Sequence, residues 1–110
     1  RAKTSVVSLV GQIEDDASRE ALLHWVLGTS LEALGEVRAA IPVFSRCIVL
    51  DPLNPVHAYH RGVCLLRAGS PKNAHEDFDL AVSLCESQGL ALPMCFRANR
   101  ALVGNALPER

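Results

Sequence analysis

The sequence is poor in the features that mark several large classes of protein. Aromatic residues make up only 5% of its 110 residues, so any core is built mainly from Leu, Val, Ile and Ala. No apolar run approaches the roughly 20 residues needed to span a bilayer, and no polybasic tract offers a surface for anionic lipid. The formal net charge is −1, whereas a nucleic-acid-binding surface needs a basic excess. These absences favour one small folded domain, with no nucleic acid and no membrane as partner.

We do not expect the opening residues to be a signal peptide, and the sequence contains no C-x-x-C pair. It opens with "RAKTSVVSLVGQIEDD", in which apolar positions alternate with Ser, Gly and Gln, unlike a signal peptide. Because it begins without Met, we expect a fragment of a longer chain or a processed piece. Each of the four cysteines, at 47, 64, 85 and 95, lies within an apolar helical pattern, where free Cys behaves as a small buried hydrophobe. This favours reduced thiols and an intracellular, cytoplasmic location.

What the chain does contain is an internal repeat with a period of about 34 residues, a length typical of helical solenoid proteins. Six identities follow this period: Gly28 with Gly62, Leu31 with Leu65, Gly35 with Gly69, Ala40 with Ala74, Phe44 with Phe78, and Leu50 with Leu84.

The first unit predicts two helices joined by a glycine turn. Apolar residues at 22, 23, 27, 31 and 34 have a helical period with a wide apolar stripe. Gly28 inside this helix costs about 1 kcal/mol relative to Ala, which a neighbouring helix packed closely on the backbone there would explain. Gly35 is predicted to end the helix in the left-handed conformation. The second helix presents Ala40, Phe44 and Cys47 on one face.

Prolines and a second glycine predict where the remaining helices begin, end or bend. Pro42 lies inside the second helix and is expected to kink or delay it. "DPLNP" ends that helix, and Pro55 suits the first turn of the next. Gly69 closes the third helix, and Ser70 with Pro71 predicts an N-cap followed by proline at the first helical position.

These residues resemble the tetratricopeptide repeat, whose pattern is W-x2-L-G-x2-Y, then A-x3-F, then P. The first unit supplies Leu27-Gly28-x2-Leu31, Ala40-x3-Phe44 and Pro52, and the second supplies Gly62-x2-Leu65 and Ala74-x3-Phe78. The chain departs from the pattern at four places: His24 and Ala58 in the tryptophan slot, Arg61 in the leucine slot, and Glu86 in the proline slot. The resemblance implies an all-α, right-handed superhelical solenoid of antiparallel helix-turn-helix repeats.

We expect four segments along the chain. Residues 1–20 would hold the second helix of a truncated preceding repeat, because Val6, Val10 and Ile13 lie one repeat length before Ala40, Phe44 and Cys47. Residues 21–54 and 55–92 would be repeats, the second with a longer following loop. Residues 93–110 would be a partial repeat or capping helix, with Ala101 in the glycine slot if that loop absorbs five extra positions.

In this family the first helices of successive repeats line a concave groove. The resemblance therefore implies a non-catalytic scaffold that holds a partner peptide or helix. Helical geometry places nine residues there: Leu22, Trp25, Thr29 and Glu32 on one helix, and Val56, Tyr59, Val63, Leu66 and, at the edge, Arg67 on the other. Trp25 and Tyr59 are the expected aromatic anchors.

Some relatives clamp the C-terminal carboxylate of heat-shock chaperones with Lys, Asn and Arg. The matching positions fall near Trp25, Thr29, His60, Cys95 and Asn99, and none supplies Lys or Arg. We therefore do not expect that ligand. A different role is also open, in which the apparent groove surfaces stack on other repeats or form a homodimer within a larger complex.

A third reading is a small helical metal-binding protein. His57, His60 and Cys64 fall at i, i+3 and i+7 on one helix face, and zinc favours such ligands. Zinc would also need a water in the fourth position or a fourth ligand, for which His24, His75 and Cys47 are the candidates. A packed helix with Cys64 buried and the histidines at its margin explains the same pattern. We predict no metal, no cofactor and no catalytic residue.

Overall fold

The computed structural model describes residues 16–106, with side chains to residue 104. Within this range the chain forms five α-helices and no strand. They are α1 (Asp16–Ala33), α2 (Val37–Leu50), α3 (Pro55–Arg67), α4 (Pro71–Ser87) and α5 (Met94–Ala106). Each helix packs mainly on its neighbours in the chain, and α1 also touches α3. This arrangement is an all-α array of helix hairpins, as predicted.

Glycines end three of the helices, for a reason that the backbone makes plain. Gly35, Gly69 and Gly89 have φ angles of 83°, 91° and 68°, in the left-handed region. After Gly35, the Glu36 amide donates to the carbonyl of Leu31 at 2.8 Å, and Gly35 itself donates to Glu32. This pair of bonds is a Schellman motif, and the same pair recurs at Gly69 and Gly89.

Proline and asparagine set the helix starts. Pro55 and Pro71 each occupy the first turn of a helix. Asn54 caps α3 by accepting from the Val56 amide at 3.0 Å, whereas Ser70, the predicted N-cap of α4, makes no side-chain capping bond. Pro42 lies inside α2, yet α2 begins at Val37, one repeat length before the start of α4 at Pro71. Pro42 therefore does not delay the helix.

The helix-interior glycines lie against the neighbouring helix, as predicted, and the groups they contact are aromatic rings. A Cβ atom at Gly28 would stand 2.8 Å from Cε1 of Phe44, and one at Gly62 would stand 2.7 Å from Cε1 of Phe78. Both rings are fully buried. Each hairpin, α1 with α2 and α3 with α4, therefore closes on the same contact, which only glycine permits.

The core consists of three clusters between successive helices. Their buried members are Ala40, Phe44, Cys47 and Cys64 in the first, Ala74, Phe78 and Val103 in the second, and Ala58, Ala81, Val82, Cys85 and Phe96 in the third. Cys95 is exposed, so the expectation that all four cysteines are buried is wrong at this position. Burial raises the pKa of the Cys47 and Cys64 thiols to about 11, which keeps them protonated.

The segments expected at the two ends of the chain lie partly outside the described residues. Residues 1–15, with Val6, Val10 and Ile13, are not among them, and residues 16–20 belong to α1. In α5, Phe96 and Val103 are buried, as are His57 and Cys64 in α3. Phe96 follows His57 in the sequence, and Val103 follows Cys64, by the same number of residues by which Ala101 follows Gly62.

The apolar stripe of α1 is only partly covered. Leu23 and Leu27 are 48% and 50% exposed, while Ala21 and Gly28 are buried. Leu34, expected to extend the stripe, lies just after the end of the helix and is 76% exposed. Periodicity alone predicted one wide apolar face for this helix. In the structure α2 and α3 cover the side that carries the small residues.

Candidate functional site

The residues predicted to line a groove lie on α1 and α3, which are adjacent in the array. Eight of them are half-buried and Arg67 is exposed: Leu22, Trp25, Thr29 and Glu32 on α1, and Val56, Tyr59, Val63 and Leu66 on α3. Half-burial is the state of a side chain that packs on its own protein and still presents surface.

Trp25 is held by the first core cluster. Its side chain packs on the cluster that contains Phe44, and its ring lies edge-on to His60 at a centroid distance of 6.2 Å. The indole Nε1–H is buried and has no acceptor among the described residues.

A side-chain hydrogen bond joins α3 to α1 beneath the predicted groove. His60 Nδ1 lies 2.9 Å from Glu32 Oε1, and the His60 ring stacks on Phe44 at 5.5 Å. Arg67 donates to the backbone carbonyl of Glu32 at 3.4 Å. Thr29 uses its hydroxyl within its own helix, donating to the Trp25 carbonyl at 2.9 Å.

Tyr59 connects α3 to α5. Its ring stacks on Phe96 at a centroid distance of 4.4 Å, and its hydroxyl accepts from Asn99 Nδ2 at 2.8 Å. Burial raises the pKa of the Tyr59 phenol to about 12, so the group stays neutral. Part of this predicted anchor is therefore committed to holding α5.

The three residues that suggested a metal site have separate partners. His57 Nε2 lies 3.3 Å from Asp51 Oδ2, His60 pairs with Glu32, and Cys64 is fully buried in the first cluster. Over residues 16–106 no group of three His, Cys, Asp or Glu side chains is placed to hold a metal ion. His57 is only 4% exposed, so its expected place at the margin of the face is wrong.

A cavity of about 260 Å³ opens between the first turns of α1 and the start of α3. Its lining is mostly apolar and consists of Ser18, Ala21, Leu22, Trp25, Asp51, Asn54, Val56 and His57. Three of the predicted groove residues, Leu22, Trp25 and Val56, are among them. The cavity thus lies at the end of the groove nearest the α2–α3 turn.

Asp51 brings a negative charge to this cavity. Asp51 Oδ2 accepts from Asn54 Nδ2 at 3.2 Å and lies 3.3 Å from His57 Nε2. Burial lowers the pKa of His57 despite the nearby carboxylate, so the ring is neutral at pH 7 and donates from Nε2. His57 Nδ1 is then an acceptor, and no donor reaches it from the described residues. Two unpaired buried nitrogens, on Trp25 and His57, therefore belong to residues that line one cavity.

Sequence reasoning placed Trp25 in the groove and missed the roles of Asp51 and His57. The signal was present in the turn "DPLNP" followed by "VH", which spaces Asp51, Asn54 and His57 three residues apart along the chain. Their hydrogen bonds depend on the geometry of the α2–α3 turn, which spacing does not provide.

No protein-family model matches the sequence, and no curated protein matches it significantly. Among solved structures the chain is similar to PcrH, whose crystal structure is a complex with the chaperone binding region of PopD. The two chains share 22% sequence identity, with a TM-score of 0.58 over 93% of this chain and 70% of that chain. At this identity the likeness shows the fold alone, and it confirms the predicted tetratricopeptide-like helical array. No helix within residues 16–106 is long and apolar enough to cross a membrane.

Proposed function

We propose that the chain is a non-catalytic binding module that holds a segment of a partner protein against α1 and α3. The observation that carries the proposal is the mostly apolar cavity of about 260 Å³, which joins Leu22 and Trp25 of α1 to Val56 of α3. Preformed helices present these side chains, so the module itself needs little ordering on binding. An aromatic side chain beside a pocket is the usual centre of binding energy at such surfaces.

The similar structure gives limited further support. PcrH is in complex with a binding region of another protein, PopD, which is the kind of ligand proposed here. Its fold can therefore accommodate a protein segment. We extend to this chain only the class of ligand, which is a segment of a protein. A cytoplasmic location is a separate prediction, made from the reduced cysteines.

Selection from a random peptide library displayed on phage, followed by titration of the selected peptides, tests the proposal. Binding is read from the fluorescence of Trp25, the one tryptophan in the chain. We expect Leu22→Ser to weaken the binding of the selected peptides by about fivefold or more, since truncating an anchor side chain costs more than about 1 kcal/mol. Leu80→Ser is the matched control, because Leu80 lies on α4 and is 38% exposed.

Peptides that bind equally to the wild type, Leu22→Ser and a Trp25→Ala variant (followed by calorimetry) would place the binding surface elsewhere. If the library yields no peptide that binds the folded protein, the proposed function is wrong.

A second role, as an assembly module that stacks on another copy or repeat, has one observation in its favour. Leu23 and Leu27 are exposed one turn apart on α1, and Leu34, directly after the end of the helix, is exposed as well, so this part of the chain presents an apolar row. Sedimentation of the wild type and of Leu27→Glu tests it. A dimer that the substitution dissociates favours assembly, and a monomer in both cases excludes self-stacking through this row.

A further inference from the structure

We infer that the cavity between α1 and α3 takes a lysine or arginine side chain of the bound segment, with its cationic end at Asp51. The inference rests on the proposed function and specifies the chemistry of one contact. It follows from the combination of an apolar wall and a carboxylate in a small space.

The volume sets the size of the occupant. Pockets for drug-sized ligands run from about 300 to 1,000 Å³, and this one holds about 260 Å³. It therefore fits one side chain of the partner. The wall formed by Ala21, Leu22 and Val56 suits a methylene stem, since Lys and Arg bury their stems on apolar surface and keep the charge in water.

The charge sets the type of occupant. Among the described residues that line the cavity, Asp51 alone is charged, and its side chain is 41% exposed. Its Oδ1 atom accepts no hydrogen bond from the described part of the chain. The partners of Oδ2 are Asn54, which is uncharged, and His57, whose pKa burial lowers so that the ring is neutral. The carboxylate therefore has no countercharge within the cavity, and a cation is its complement.

Trp25 adds to the same preference. Trp25 also lines the cavity, and a cation that lies over the face of an indole is attracted by the ring quadrupole. An acidic side chain would instead meet Asp51 as a like charge. An uncharged side chain of the same length would contact the apolar wall and leave the Asp51 carboxylate without a charged partner.

Three small probes of matched length test the inference: the Nα-acetyl methylamides of lysine, norleucine and glutamate. Each is titrated to tens of millimolar, because probes of this size bind weakly. Binding is followed by the NMR signal of the single indole N–H, that of Trp25. We expect the lysine probe to bind about two- to fivefold more tightly than norleucine at low salt, the usual size of a solvent-exposed ion pair. The difference should shrink as salt is added, and the glutamate probe should bind most weakly.

Asp51→Asn removes the charge and retains an oxygen that accepts from Asn54. It should reduce binding of the lysine probe to that of norleucine. Asp79→Asn is the matched control: Asp79 is 50% exposed, and its partners His75 and Arg100 lie away from the cavity. This variant should keep the preference for lysine. Melting curves of both variants establish that each is folded.

Equal binding of lysine and norleucine to the wild type would overturn the inference and leave the groove as an apolar site. Absence of any shift of the indole signal would also overturn it. In both cases the phage selection with Leu22→Ser decides separately whether the groove binds a protein segment.

Discussion

Two glycines fix how closely the helices of each hairpin approach. The repeat predicted that Gly28 and Gly62 would lie under a neighbouring helix, and the structure identifies the contacts as Phe44 and Phe78. This was predictable because the same residue types recur one repeat length apart and a helix-interior glycine needs a physical reason. A side chain in either position would have to displace a buried ring.

We predict that Gly62→Ala destabilises the protein by up to about 2 kcal/mol. The gain of about 1 kcal/mol in helix propensity is outweighed by overpacking against Phe78, which costs about 1–3 kcal/mol. Urea unfolding measures the change. Gly104→Ala is the control, because its Cβ would lie 3.1 Å from Nε2 of His75, a partly exposed side chain that can move. A Gly62→Ala variant as stable as Gly104→Ala would show that the ring yields without cost.

His57 is predicted to make the protein less stable in mild acid. Burial lowers its pKa below the ordinary value of 6.5, so the unfolded chain takes up this proton more readily than the folded one. The contribution of His57 to the free energy of unfolding is therefore constant at pH values well above 6.5. As the pH falls below 6.5 the free energy of unfolding decreases, with a slope of at most about 1.4 kcal/mol per pH unit. Urea titrations between pH 7.5 and pH 5 (roughly the window in which an ordinary His titrates) measure the slope. A His57→Gln variant should lose this contribution, and an unchanged slope in that variant would refute the assignment.

The helix pair α3–α4 contains an ion pair that the repeat pattern did not reveal. Arg61 donates to both oxygens of Asp77, at 2.7 and 2.8 Å, and to Ser45 Oγ of α2 at 3.1 Å. Arg61 was recognisable from sequence as a departure from leucine, but its partner was not. Two residues that face each other from separate helices have no signature of contact in the sequence, whereas repeated glycines and alanines do.

The first repeat supplies the substitutions that test this pair, since Leu27 and Val43 occupy the positions of Arg61 and Asp77. Arg61→Leu should cost about 2–4 kcal/mol, because it leaves Asp77 charged with a side chain only 6% exposed. Asp77→Val should cost less, about 1–2 kcal/mol, since Arg61 is 26% exposed and partly solvated.

The double variant Arg61→Leu, Asp77→Val should recover to within about 1 kcal/mol of the wild type, because replacing a buried pair with apolar residues is often neutral. Urea unfolding of all four proteins completes the double-mutant cycle. Additive losses in the double variant would mean that the two residues act through other contacts.

At the scale of the whole molecule, each helix packs mainly on the helices next to it in the chain. In such arrays stability is approximately a sum of local and nearest-neighbour terms. The fold class was predictable for the same reason: a repeated local unit stacked on itself needs no long-range information. The cavity was not, since it depends on how α1, α3 and the α2–α3 turn meet.

Nearest-neighbour packing predicts that α5 can detach while the rest stays folded. Phe96 is 4% exposed and stacks on Tyr59, so Phe96→Ala should remove about 3–5 kcal/mol of packing between α5 and α3–α4. Hydrogen exchange should then lose protection in α5 and keep it in α1 and α2, since these two helices pack mainly on each other and on α3. Leu102→Ala, at a side chain 64% exposed, controls for substitution within the same helix. If protection fell equally in all five helices, the array would be one cooperative unit, and a ligand at the α1–α3 cavity would then stabilise α5 as much as α1.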